Sequence, residues 1–260
     1  MPTQKYYNNT GKVVPSVTTV IGNLGWNREA LMRWVYSSMK QGVDPYEKRD
    51  KACDLGTYIH LCIEHHIYNA PVPEEDTSRM SFEDVLIAEK AVDKYKQLES
   101  DLALTCLESE IALVSEEYNF GGCPDNIYQC DTRRIKCTVE NEVVAAYLCG
   151  LGIEKPVLLN DTKSSKGVWA SNIIQLGAYD HLIRESTKYR PDGYLIVKVN
   201  KDIDQVIDDI NLVSLIPVPK QMIETGWEIF KHLLYLHNVK SQFEKDVKQL
   251  TENVSKGVEA

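Results

Sequence analysis

Three stretches of this 260-residue chain carry side chains whose types and spacing suit chemistry on a phosphate ester. In residues 108–125, E-S-E-I-A-L-V-S-E-E-Y-N-F-G-G-C-P-D, a strand bearing Glu110 is expected to turn at Gly121-Gly122 and deliver Asp125 at the start of the next strand. In residues 158–165, L-L-N-D-T-K-S-S, Asp161 and Lys163 are two apart, which on a strand puts both side chains on one face. In Q-L-G-A-Y, Gln175 and Tyr179 are four apart and share one side of a helix. Two carboxylates can hold Mg²⁺ or Mn²⁺, with water and phosphate oxygens completing the shell. Such a cation polarises the phosphate and lowers the pKa of a water. A lysine on the same face orients or deprotonates that water, or offsets the charge that develops in the transition state.

Each stretch alone has a plainer reading. The D-x-K pattern recurs at Asp246-Val-Lys248, where a C-terminal helix makes it a solvated face. A Gly-Gly pair by itself marks a hairpin turn, and Gln175 with Tyr179 would be ordinary helix surface. Asp161 stands apart because Val157, Leu158, Leu159 and Asn160 lead a buried-looking strand into it. A buried charge is costly unless it is paired or coordinated.

The elements that must position these residues follow from periodicity. Four helices are expected first: residues 17–24 with Ser16 as N-cap, a second capped by Asn27, then residues 50–69 and 82–99. Their inward faces are read as Leu31, Trp34, Val35 and Met39 in the second, Ile59, Ile63 and Ile67 in the third, and Val85, Leu86, Ala88, Val92 and Tyr95 in the fourth. Pro71-Val-Pro73 and the acidic residues after it read as a solvated loop. Strands are expected at 105–115, 126–130, 156–160 and 193–200, with a short helix around Val143, Val144, Tyr147 and Leu148. A helix spans 168–185. A last one runs from Pro219 to about Leu250, with Trp227, Phe230, Leu234 and Phe243 on a core-facing stripe and the final ten residues frayed. The order predicts an α/β fold with a mixed sheet flanked by helices and preceded by a helical layer.

Composition sets the outer bounds. With 43% hydrophobic and 26% charged residues the chain is ordinary globular material, long enough for one large domain. Its net charge of -9 weighs against holding nucleic acid by bulk charge. The longest apolar run, residues 143–153, is too short to cross a bilayer, and the N-terminus lacks a signal-peptide core, so a cytoplasmic protein with no membrane partner is expected. Seven cysteines without a C-x-x-C pair argue against a disulfide framework or a structural zinc site; most are expected to be buried thiols.

In this order the motifs resemble the PD-(D/E)XK nuclease superfamily in its RecB-type branch, which includes phage exonucleases and the mitochondrial genome maintenance exonuclease. The matching residues are Pro15-Ser-Val-Thr18, Gly56-Thr-Tyr-Ile-His60, Glu110 through Gly121-Gly122 to Asp125, Asp161-Thr-Lys163, and Gln175-Leu-Gly-Ala-Tyr179. The resemblance implies a restriction-endonuclease-like core at 104–216 with an insertion at about 137–152. An N-terminal helical subdomain would cover 1–103, and a C-terminal helix, 217–260, would pack on the core. It further implies that Asp125, Asp161, His60 and the backbone carbonyl of Thr162 hold Mg²⁺ or Mn²⁺, and that Lys163 is the catalytic lysine. Glu110 would act on the water or as an outer acid, and Gln175 and Tyr179 would support the site or touch the DNA backbone. His65 and His66 match no position of the pattern. Some members of this branch carry an iron–sulfur cluster ligated by cysteines after the Q-x-x-x-Y helix; none follows Cys149 here, so no cluster is expected.

The implied activity is metal-dependent cleavage of DNA, from ends or on single strands, in recombination, repair or phage genome processing in a bacterial or phage-infected cell. A single-strand-binding or recombination protein would be a natural partner. Expected DNA contacts are Lys163 and Lys166, Arg133 and Arg134, Trp169 by stacking, and Ser164 and Ser165 through phosphate. The alternatives are an endonuclease or flap nuclease, an enzyme on another phosphate ester, and a non-catalytic nucleic-acid-binding or assembly protein that retains the fold.

Overall fold

The computed structural model describes residues 4–164, 167–201 and 212–255, with side chains to residue 250. Ser165 and Lys166 therefore lie outside the described residues. In chain order the elements are β1 (Tyr6–Tyr7), β2 (Val13–Val14), α1 (Val17–Ile21), α2 (Arg28–Lys40), α3 (Pro45–Ile67), α4 (Glu74–Thr77), α5 (Phe82–Asp101), β3 (Leu104–Ser109), β4 (Leu113–Ser115), β5 (Phe120–Gly122) and β6 (Asn126–Cys130). Then come α6 (Glu142–Gly150), β7 (Val157–Lys163), α7 (Ala170–Ser186), β8 (Gly193–Val199), β9 (Val213–Pro217) and α8 (Lys220–Ser255).

Runs rich in Val, Ile, Leu and Tyr suit a pleated surface, and they pair as a five-stranded mixed sheet in the order β3-β6-β7-β8-β9. Only β7 and β8 run parallel. Both faces are covered, so β8 is apolar from Tyr194 to Val197: Leu195, Val197 and Val199 face the layer of α3, α5 and α6, while Tyr194 and Ile196 face α1, α7 and α8. The helices of the first hundred residues thus share a core with the sheet. The segment around 137–152 contributes α6, whose Val144, Ala145 and Leu148 are buried in that same layer and whose Tyr147 hydroxyl accepts the Tyr194 N–H at 3.0 Å. It braces the sheet.

Several expectations are corrected. The strand predicted at 105–115 breaks after Ser109, and β4 leaves the main sheet to pair with β5. The reversal between β4 and β5 is made by residues 116–119, ending at Asn119 with φ +58°, not by Gly121-Gly122, which lie inside β5. Those glycines are there for space: a Cβ on Gly121 would meet the Tyr6 ring at 2.4 Å, and one on Gly122 would meet Tyr179 at 2.8 Å and Val17 at 2.9 Å. Helix α3 starts at Pro45, capped by the Asp44 side chain, which accepts the Tyr46 N–H. The acidic residues after Pro73 form the short α4. The predicted inner face of α2 is not buried; Leu31 and Met39 are exposed and only Ser38 is covered. Phe243 is 67% exposed: it lies nine positions beyond Leu234, about two and a half turns on, in a stretch from 235 to 250 where no side chain is buried. Of the cysteines, Cys62 and Cys130 are buried, whereas Cys53, Cys137 and Cys149 are exposed.

Candidate metal centre

Strand β7 ends where both helical layers close over the sheet, and the candidate residues converge there. Asp161 and Lys163 project from its last turn of pleat toward α7. Asp161 is fully buried, and Lys163 Nζ stands 2.5 Å from its Oδ2. Beyond this ion pair, neither Asp161 oxygen finds a hydrogen-bond donor among the described residues. Asp125 enters from the loop before β6, which pairs antiparallel with β7. The Thr162 N–H donates to Asp125 Oδ2 at 2.6 Å, so that one carboxylate oxygen is fixed by the backbone of the D-x-K strand itself.

Helix α3 supplies the imidazole. Gly56 lies so close to the end of β7 that a Cβ there would meet Ser164 Oγ at 2.5 Å. This close approach lets the next turn of the helix bring His60 Nδ1 to 3.6 Å from Asp125 Oδ2 and against the Thr162 backbone. Burial holds His60 below its ordinary pKa, with Asp125 opposing and Lys163 reinforcing the shift. A neutral imidazole is the form that ligates metals.

Glu110 arrives by a less regular route. A bulge between Cys106 and Glu108 disturbs β3 as it nears the site, and Glu110 itself adopts φ +50°, a left-handed conformation rare for a side chain of this size. Its N–H donates to the Asp125 carbonyl at 2.8 Å, tying the two acids together. Strain of this kind collects at functional positions. Burial, then the Asp125 charge, raises the Glu110 carboxyl to about 7. The outcome is one ligand atom each from His60, Glu110 and Asp125, all within 4.8 Å of one another.

Asp161 is outside that three-residue set, although its charge is felt by Glu110 and by Tyr179. Burial raises the Asp161 carboxyl despite the lysine beside it. For Lys163, burial acts to lower the pKa, but Asp161 and Asp125 more than offset it, and the ammonium is retained. Gln175 Nε2 donates to the Tyr179 hydroxyl at 2.8 Å, and Tyr179 packs over Gly122 beside the acids. The Pro15-Ser-Val-Thr18 segment is structural support: Pro15 accepts the Gly121 N–H at 2.9 Å, Ser16 caps α1 and Val17 packs on Gly122. Trp169 is exposed just before α7. Arg133 and Arg134 follow the far end of β6, more than ~17 Å of strand from Asp125, and Arg133 is paired with Glu154 at 2.6 Å. They do not come to the site.

Four residues near the centre were not singled out by their spacing. Glu64, four residues after His60 on the same face of α3, acts electrostatically on Glu110; extending the Gly56–His60 face by one turn would have found it. Cys123 donates to Glu110 Oε2 at 3.3 Å, and burial followed by Glu110 pushes its thiol well up. Tyr6 is raised to about 12, by burial first and then by Cys123 and Glu110. Lys201 donates to the Ala52 carbonyl at 2.5 Å beside Gly56, from a position no motif marks. Compared with known proteins, the chain matches no family model and no curated protein. Among the described residues, no helix is long and apolar enough to cross a membrane.

Proposed function

We propose that this protein is a metal-dependent nuclease that hydrolyses DNA phosphodiesters at the end of β7. One observation carries the reading: His60, Glu110 and Asp125, from three separate elements, converge within 4.8 Å beside the fully buried Asp161 and its ion-pair partner Lys163. Two of the donors are hard carboxylates and the third is a borderline imidazole nitrogen, with the buried Asp161 carboxylate near them, a set that fits Mn²⁺ and also admits Mg²⁺. His60, Glu110 and Asp125 would hold the ion. When bound, it would polarise the phosphoryl group and ease deprotonation of the attacking water.

The chain's own residues supply the rest. Thr162 N–H locks Asp125 in place, so the site keeps its shape without substrate. Glu110 stands at the solvent rim, where its carboxylate can complete the ligand set on the side open to substrate. Lys163 is held by Asp161 as a cation that offsets negative charge on the phosphoryl oxygens as it builds. Gln175 orients the Tyr179 hydroxyl beside the carboxylates. Trp169 offers an exposed ring on which an unpaired base can stack. The order of the five motifs supports DNA as the substrate and cleavage from ends or on single strands.

The test is a gel assay on end-labelled single- and double-stranded DNA with Mg²⁺, Mn²⁺ or EDTA, comparing wild type with Lys163→Ala. Metal-dependent degradation that disappears in the variant is the expected result. Equal cleavage by both proteins, or none by wild type with either ion, would sink the reading.

A further inference from the structure

We propose that the outer half of α8 is a homodimerisation surface, pairing antiparallel with the same segment of a second copy about a two-fold axis at Phe243. The inner half of α8 is accounted for. Ile223, Gly226, Phe230, Leu233 and Leu234 are buried against α1, α7 and the sheet. From residue 235 to 250 no side chain is buried. Yet Leu236, Val239, Phe243, Val247 and Leu250 form an apolar stripe there, each between 37% and 67% exposed.

This stripe does not continue the core-facing side. At 100° per residue it is centred roughly 140° around the helix from the buried residues of the inner half. It faces away from the buried side of the inner half. Its spacing is its own mirror image. Counting from Phe243, Val239 and Val247 lie four residues away on either side, and Leu236 and Leu250 lie seven away. A two-fold axis at Phe243 therefore lays the stripe upon itself, Leu236 against Leu250 and Val239 against Val247. That self-complementarity is what a closed two-fold interface requires. The 11-residue repeat, Leu236 to Val247 and Val239 to Leu250, keeps the apolar seam on one side of a nearly straight helix.

The flanks agree with this arrangement. A two-fold axis brings each flank of the stripe against the same flank of the other helix. On one side stand Lys240 and Glu244, loosely paired within the helix at 3.9 Å. The axis sets each Lys240 nearly opposite the other copy's Glu244. On the other side Gln242 donates to Asp246 at 2.8 Å, and the axis sets Gln242 nearly opposite the other copy's Asp246. The two Glu244 carboxylates also come level with each other to within two residues, so each Lys240 is placed to offset that repulsion. The charged residues from 236 to 250 are three lysines and two acids, too balanced to attract either DNA or an anionic membrane strongly. A parallel pair would set Lys240 against the Gln242 flank and leave Glu244 without a cation across the seam.

Sedimentation equilibrium on the full chain across a range of concentrations tests this. The seam is short, so association should be concentration-dependent, the mass rising from 29.6 kDa toward twice that value. Phe243→Asp should hold the protein at the monomer mass while its far-UV circular dichroism stays unchanged. Lys240→Glu should weaken the dimer at least severalfold, and K240E/E244K should restore it. A wild type monomeric at every concentration would overturn the proposal and leave the stripe to a different protein. Dimers that survive Phe243→Asp would overturn it as well. Failure of the charge swap to restore pairing would overturn the antiparallel register.

Discussion

Two helices break the rule of apolar inside and polar outside, in opposite senses. Helix α3 turns Gly56, His60 and Glu64 inward, toward the carboxylates at the end of β7. The outer half of α8 turns Leu236, Val239, Phe243 and Leu250 outward into solvent. In a sequence shaped only for folding, both faces would be errors: the first buries groups that prefer water, and the second leaves dry surface wet. Local rules are broken where something other than the chain itself completes the structure. On our reading that is a cation for α3 and a second helix for α8. The inner half of α8 is the control, because its apolar face is covered and its partners are all in the same chain.

The largest effects should come from the inward violation. If His60, Glu110 and Asp125 hold the ion, Mn²⁺ at a hundredfold excess over its Kd should stabilise the fold by about 2.7 kcal/mol. Asp125→Asn should abolish that gain in a thermal melt. Lys163→Ala should retain most of it while cleavage falls by roughly 10²–10³-fold. A melt indifferent to Mn²⁺ in the wild type would mean that α3's polar face has a purely structural explanation.

Next in size is the covered half of α8. Gly177 and Gly226 let α7 and α8 touch backbone to backbone: a Cβ on Gly177 would meet the Trp227 nitrogen at 2.6 Å and the Ile223 carbonyl at 2.7 Å. These are main-chain atoms with little room to move. Gly177→Ala should cost about 1–3 kcal/mol in urea unfolding, and an unchanged midpoint would show that the helix pair is looser than its geometry indicates.

How much of this was legible beforehand depended on whether the signal was local. The strand at Val157–Lys163 announces itself through a short apolar run, α1 through the hydroxyl cap of Ser16, and α7 through its apolar residues within a few turns. Asp161, Lys163, Gln175 and Tyr179 could be named because their spacing is short, two on a strand and four on a helix, whereas His60 rested on the order of the motifs. What pairwise spacing could not reveal was distance across the fold. Gly121 and Gly122 carry the composition of a turn but serve as packing space for Tyr6 and Tyr179, residues more than fifty positions distant in each direction. Arg133 and Arg134 stand eight or nine residues from Asp125 in sequence, yet a strand separates them in space. Phe243 shows the limit of an apolar stripe: periodicity finds a face, but the sequence does not say where the body of the protein ends.

A smaller effect should follow pH. His181 stacks on Trp227 of the inner α8 with ring centroids 4.0 Å apart, and Glu185 lies 3.3 Å away. Burial lowers its pKa, with Glu185 and Glu117 opposing. The unfolded chain therefore binds the proton more readily than the native one, and stability should fall as pH drops below about 6.5. His181→Phe should flatten that part of the profile between about pH 7.5 and about pH 5.5. If the wild-type and variant curves stay parallel, His181 does not contribute.

The smallest effect is the one that isolates the outer half of α8. In a dilute sample, Phe243→Gln should shift the unfolding midpoint by no more than about 0.5 kcal/mol, because an exposed side chain loses no packing when it is replaced. Concentration is then the variable that matters. A ring that is covered only by a second copy adds stability by mass action, so the wild-type midpoint should rise with protein concentration while the variant's stays flat. A large shift in the dilute variant would mean that Phe243 is already packed within its own chain. Parallel behaviour at all concentrations would mean that no second copy covers the stripe, and the contrast between the two helices would lose the partner proposed for α8.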